Sequence, residues 1–81
     1  MQTIQVKMTV DKDGTMFSVN NAVLGCVWIQ QHDWMSEVKR EMHPHKCKQD
    51  YHTSNDDAID FIKSCIASYF GYAGVPVEFV E

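Results

Sequence analysis

The chain has no apolar stretch long enough to cross a membrane as a helix. Its longest run, Ala22–Ile29, contains Gly25 and falls far short of the roughly 20 residues a span requires. The amino terminus also lacks the basic start and continuous apolar run of a signal peptide, because Thr3, Gln5 and Lys7 alternate with Ile4, Val6 and Met8. A soluble, cytoplasmic protein without membrane contact is the expectation. Cysteine is scarce and odd in number: Cys26, Cys47 and Cys65 argue against a disulfide framework and for reduced thiols. Glycine-rich phosphate loops and a hydrolase nucleophile elbow are both missing, so no catalytic residue is indicated and no enzyme is expected. Positive charge is short as well. A net charge of −4 disfavours nonspecific nucleic-acid binding, whose affinity comes from phosphates neutralised by many lysines and arginines. Carboxylates, in turn, are too scattered outside Asp56, Asp57 and Asp60 for a DNA mimic.

What is present suffices for one small domain over residues 1–81. A chain this short buries little more than about 60% of its unfolded surface, so one core is the limit. An apolar fraction of 44% with 22% charged residues excludes disorder. Ile4, Val6, Met8 and Val10 alternate with polar residues, the period-two pattern of a strand with one face buried. Asp11-Lys12-Asp13-Gly14 is turn composition, with Gly14 free to take positive φ, and a second strand follows over Thr15–Asn20 with Phe17 and Val19 on one side. Asn20-Asn21 breaks that strand, and Cys26–Gln30 is rich enough in β-branched and aromatic residues to form a third. A helix over Asn21–Gln31 competes with this assignment, but Gly25 in its middle would cost about 1 kcal/mol.

Beyond His32, Asp33 reads as the cap of a short helix bearing Trp34, Met35, Val38 and Met42 on one stripe and ended by Pro44. His43–His52 has no periodicity and reads as a loop. The most legible stretch is Thr53–Phe70. Ser54 followed by Asp57 gives the pattern of a capped helix start, and Asp56, Asp57 and Asp60 place negative charge at the positive end of the dipole, worth about 0.3–1 kcal/mol each. Ala58, Ile59, Ile62, Cys65, Ile66 and Tyr69 recur at three-and-four spacing, with Phe61 and Phe70 widening the stripe. Gly71 is the expected left-handed stop. A final strand over Val75–Val80 contains Pro76, which lacks the N–H of a central ladder, so this strand lies at an edge or begins beside one. The predicted fold is α+β: a small antiparallel sheet of three to four strands covered on one face by a long helix, with a short second helix.

The pieces Asp13–Val19, Leu24-Gly25-Cys26-Val27, Ser54–Ile59 with Ile62 and Ile66, and Gly74-Val75-Pro76-Val77 together resemble HicB-like antitoxin domains. That family runs hairpin, Leu-Pro-Gly-Cys turn, capped helix and short proline-containing strand. Here Leu24 stands where the family has proline, and His32–Thr53 is inserted between third strand and helix. The resemblance implies the α+β fold and the binding of a small protein partner; it does not carry over operator binding.

The insertion, read as lying outside the core, holds the candidate chemistry. His43, His45, Cys47 and His52 are imidazoles and a thiol of the kind that ligate zinc. In an extended segment alternate residues stand about 6.6 Å apart, so these four would share one ion only if the chain turned, and Arg40, Lys46 and Lys48 would oppose the cation. Cys47 beside His45 or His43 has the makings of a thiolate–imidazole pair, but no orienting partner or oxyanion loop accompanies it. Cys26 and Cys65 sit on apolar stripes as small core residues, and adjacent Asp56 and Asp57 diverge on a helix, which suits capping better than acid–base work.

Between Glu37 and Lys48, Lys39, Arg40, Lys46 and Lys48 face Glu37 and Glu41, a net +2 in a chain of net −4, so the remainder carries −6. With Trp34 and Tyr51 alongside, the insertion would present an aromatic-anchored basic surface of the kind protein interfaces favour. The expected function is protein binding: an antitoxin-like or inhibitory protein acting on a toxin, or on a host protein if the gene is carried by a phage or mobile element. A homodimer through an edge strand is compatible with this. The alternatives are a zinc-stabilised module and an RNA-contacting domain using the basic 39–48 segment.

Overall fold

The computed structural model describes residues 2–81. Five strands come first: β1 Ile4–Asp11, β2 Gly14–Val19, β3 Ala22–Gln30, β4 Asp33–Val38 and β5 Asp50–His52. Helix α1, Asn55–Tyr72, and strand β6, Val77–Val80, complete the chain. The strands form one six-stranded sheet in the order β5-β4-β3-β2-β1-β6, antiparallel throughout except that β6 runs parallel to β1. The α+β class holds, with the long helix on one face and β6 at an edge; β6 begins at Val77, just after Pro76, rather than at Val75. The sheet is nevertheless larger than three to four strands.

The topology explains the helix length. After β5 the chain stands at one edge and must reach the other. Five inter-strand gaps of about 4.8 Å come to about 24 Å, and the 18 residues of α1 at 1.5 Å each span about 27 Å. Lying across the sheet, α1 buries Ala58, Ile62, Cys65 and Ile66 against Val6, Phe17, Leu24, Val27 and Val38. Phe17 and Phe79 close the β6 side edge to face, their ring centroids 6.1 Å apart.

Both ends of α1 are determined locally. The Ser54 hydroxyl accepts from the Asp57 N–H at 3.1 Å, while the Asp57 carboxylate takes the Thr53 hydroxyl at 3.3 Å. Gly71 is not the stop: the helix continues through Tyr72, and Gly74, at φ +73°, takes the left-handed position. The N–H groups of Val75 and Gly74 then bond the carbonyls of Phe70 and Gly71, a 6→1 and 5→2 pair that closes the last turn.

Three corrections concern the meander. Gly14 is needed for close approach rather than for positive φ, since a Cβ there would lie 2.0 Å from the Val27 carbonyl oxygen. Asn20 and Asn21 do break the second strand, as a two-residue turn at φ +50° and +68° that asparagine tolerates, but β3 begins directly after them at Ala22 rather than at Cys26. The short helix expected from Asp33 is instead strand β4, entered through a turn at Gln31–His32 with Gln31 at φ +58°. Trp34, Ser36 and Val38 share the helix-facing side of β4, while Met35 and Glu37 share the open side with Trp28 and Cys26. Met35 is buried on that open side, so both faces of β4 carry apolar residues. Trp34, Met35 and Val38 thereby mimic helical spacing.

Only Arg40–Met42, a single 3-10 turn, coils where the rest of the short helix was expected. The predicted loop contains β5, whose three residues pair with Trp34, Met35 and Ser36. The insertion is therefore part of the core, not an appendage: Met35, Ser36, Val38, Met42 and His43 are all buried. Tyr69, placed in the buried stripe by spacing, is 42% exposed.

Candidate partner-binding cleft

The cleft forms where the β3–β4 ladder ends. Opposite Phe17, β3 carries one extra residue: Gly25 pairs with Phe17 and Val23 with Ser18, which leaves Leu24 between them as a bulge. A bulge bends its strand. Across the other edge of β3 the ladder to β4 continues one rung past Val38, and the Leu24 carbonyl accepts the Lys39 N–H at 2.9 Å. The chain then coils through Arg40–Met42, sends Met42 and His43 inward, and returns past the end of β4 at Lys46, whose φ is +59°.

Between the strand ends and the returning loop lies a cleft of about 420 Å3. Val23, Leu24, Gly25, Cys26 and Val38 line it on the sheet side, and Lys39, Arg40, Lys46, Cys47 and Lys48 on the loop side. The single carboxylate in the lining, Glu37, accepts from the Gln49 amide at 3.2 Å. Lys46 Nζ donates to the Glu41 carbonyl at 3.1 Å, which fixes its direction but leaves its charge uncompensated. Among the described residues none of the four cations is in a salt bridge. Burial pushes the Cys26 thiol up, and the Glu37 carboxylate adds to the shift. Cys26 is thus held as a neutral thiol in the wall, whereas Cys47 is exposed at the mouth.

The four basic residues singled out in sequence are therefore brought into one cleft. The aromatics proposed beside them are not. Trp34 packs partly buried against the helix-side core, and Tyr51, 73% exposed, lies on the opposite face of the sheet paired with Met35.

The candidate zinc ligands also separate. His43 lies under α1, 5.5 Å from the Phe61 ring centroid, and both its nitrogens are engaged. Nδ1 accepts the His45 N–H at 2.9 Å, so Nε2 carries the proton and donates to Asp50 Oδ2 at 2.7 Å. His52 Nε2 meets the Ser36 hydroxyl at 2.8 Å, and its ring lies 5.3 Å from the same phenylalanine. His45 and Cys47 face outward, and the Cys47 thiol lies 3.9 Å from the His45 carbonyl. Among the described residues no three histidine, cysteine, aspartate or glutamate side chains converge as metal ligands do. The His43–Asp50 pair also has no vacant ring nitrogen with which to activate a thiol. Its geometry ties the 43–45 turn to β5 and so holds the loop that walls the cleft.

Residue pattern alone did not find the β3 half of the cleft. Leu24-Gly25-Cys26 carries a turn-like signal, but only the register shows that its bulge opens toward Lys39. The His43–Asp50 contact, seven residues apart in an irregular segment, has no periodic signature. No family model matches the chain, and no curated protein or solved structure is significantly similar to it. No helix among the described residues is long and apolar enough to cross a membrane.

Proposed function

We propose that this chain is a non-enzymatic, cytoplasmic binding domain that docks on another protein through the Lys39–Lys48 cleft. The observation that carries this is the gathering of Lys39, Arg40, Lys46 and Lys48 around one concave site with a single carboxylate already engaged elsewhere. Such a site attracts an acidic surface and speeds its encounter. The rest of the chain, at −6, repels a phosphate backbone that runs beyond the cleft, which favours a protein over a nucleic acid. The resemblance of residues 13–27, 54–66 and 74–77 to HicB-like antitoxin domains supports a toxin as the partner. A host protein is the counterpart if the gene belongs to a phage or mobile element. The outer edge of β6, which hydrogen-bonds only to β1, is the edge through which two copies would pair.

The test is affinity capture from nuclease-treated host lysate, comparing the wild type with the quadruple variant K39E/R40E/K46E/K48E. Wild-type protein is expected to retain a defined protein that the variant loses, and raising the salt should weaken that retention. Equal capture by both would place the interface elsewhere, and capture abolished by nuclease would make the partner an RNA.

A further inference from the structure

The cleft that carries the protein-docking proposal has two chemically distinct halves, and the second half narrows what fits. Its rim is cationic, but its sheet-side wall is apolar: Leu24 and Val38 are buried in the core behind it, Gly25 contributes no side chain, and Val23 is the apolar side chain left open. Val23 is 45% exposed, an apolar side chain left partly in water beside four positive charges. A phosphate or a run of carboxylates would satisfy the rim while leaving Val23 in water.

Resting on the docking proposal, we infer that the cleft takes an acidic segment of the partner carrying one apolar side chain flanked by carboxylates. The apolar side chain lies against Val23, and the carboxylates meet Lys39, Arg40, Lys46 and Lys48. Size agrees. At about 420 Å3 the cleft lies near the low end of the 300–1,000 Å3 of small-ligand sites, enough for one large side chain and the backbone beside it. The bulge at Leu24 lies beside this cleft, and the Lys39 N–H bond to the Leu24 carbonyl is the last rung of the β3–β4 ladder at its edge. Arginine at the rim suits carboxylate in particular, because its planar fork bonds both oxygens. The division of labour follows from the physics: the rim sets encounter rate and salt dependence, and the wall sets which acidic segment stays.

The experiment measures fluorescence anisotropy of the full chain with three labelled peptides and an oligouridine. The peptides are Asp-Glu-Leu-Glu-Asp, the same with serine for leucine, and Asn-Gln-Leu-Gln-Asn. The acidic leucine peptide should bind about tenfold or more tighter than either control, since one comparison removes the apolar burial and the other the charge. V23S, a change at a half-exposed position, should weaken the leucine peptide several-fold and leave the serine peptide unchanged, with the melting temperature confirming that the variant folds. Equal binding of the serine peptide, or no peptide binding up to about 1 mM, overturns the inference. If lysate capture is still lost in the quadruple charge variant, the docking proposal survives that failure. Oligouridine binding tighter than any peptide, and lost in the quadruple variant, overturns both.

Discussion

Between Lys39 and His52 the chain carries two sets of polar side chains that come to opposite ends. His43 is buried beneath α1, with Asp50 and His52 half-buried beside it, and each finds a partner: Asp50 for His43, Ser36 for His52. Lys39, Arg40, Lys46 and Lys48 turn outward and keep their charges in water, gathered but unpaired. Residue types that look equally functional in the sequence thus divide into a set that stabilises the fold and a set left available for a partner. Burial makes the difference. A polar group removed from water is costly unless bonded, so the inward set is committed to internal contacts, while the outward set carries no such constraint.

The largest test of this contrast strikes the floor that both regions share. Ile62, fully buried under α1, becomes an unpaired carboxylate in I62D; a loss of about 4 kcal/mol or more is expected, enough to unfold a domain of ordinary stability. A soluble variant with a cooperative melt would mean that α1 packs by another face. Next comes the inward set itself. H43A removes the partner of Asp50 and the acceptor of the His45 N–H, and should cost about 2–3 kcal/mol by urea denaturation. A cost under about 0.5 kcal/mol would place His43 with the outward set and dissolve the distinction.

Charge reversal of the outward set should have the opposite profile, little effect on the melting temperature and a large loss of partner capture, because exposed charges contribute about 0–1 kcal/mol at most. A fall in stability comparable with that of H43A would show that the cations hold the loop in place.

The thiols sharpen the same contrast with a smaller effect. Alkylation should reach Cys47 first, Cys26 more slowly, and Cys65 only on unfolding. Burial, and then the Asp50 carboxylate, push the Cys65 thiol up. The unfolded thiol therefore ionises at lower pH than the folded one. Its contribution to stability is full below the free thiol range, roughly 8.5, and is lost as pH rises through the raised folded value. Denaturation at neutral and at alkaline pH should show wild-type stability falling more steeply than that of C65A, and identical slopes would argue against the assignment. The smallest effect is expected from a chelator, which should leave the melting temperature unchanged because His43 and His52 already have hydrogen-bond partners. A stoichiometric metal in purified protein, with a lower melting temperature in chelator, would require the 43–52 segment to rearrange.

Local signals read well where one element has one buried face. β1 alternates cleanly because its outer face is polar, and α1 declares itself through Ser54, Asp57 and the Ala58–Ile66 stripe. The pattern fails at β4, whose open face carries Met35 beside Trp28 on β3, so that apolar residues occupy both parities and resemble a helical stripe. It fails again at β5, where three residues are too few for any period, and His43–His52 reads as loop although it carries the last strand of the meander. The error at Gly71 has a similar origin. Several residues there permit a helix stop, and the path to the β6 edge selects Gly74.

The sequence by itself determined the α+β class, the long capped helix, the first hairpin, the proline-marked edge strand and the presence of a basic segment in an acidic chain. These follow from periodicity, capping and charge, which are properties of neighbours along the chain. Only the tertiary structure decided that the 32–53 segment extends the sheet, that His43 and His52 turn inward while the lysines and Arg40 turn outward, and that Val23 comes to lie beside those cations. Each of these depends on which strands pair and in what register, and hydrogen bonding between segments distant in sequence leaves no local pattern for a single chain to display.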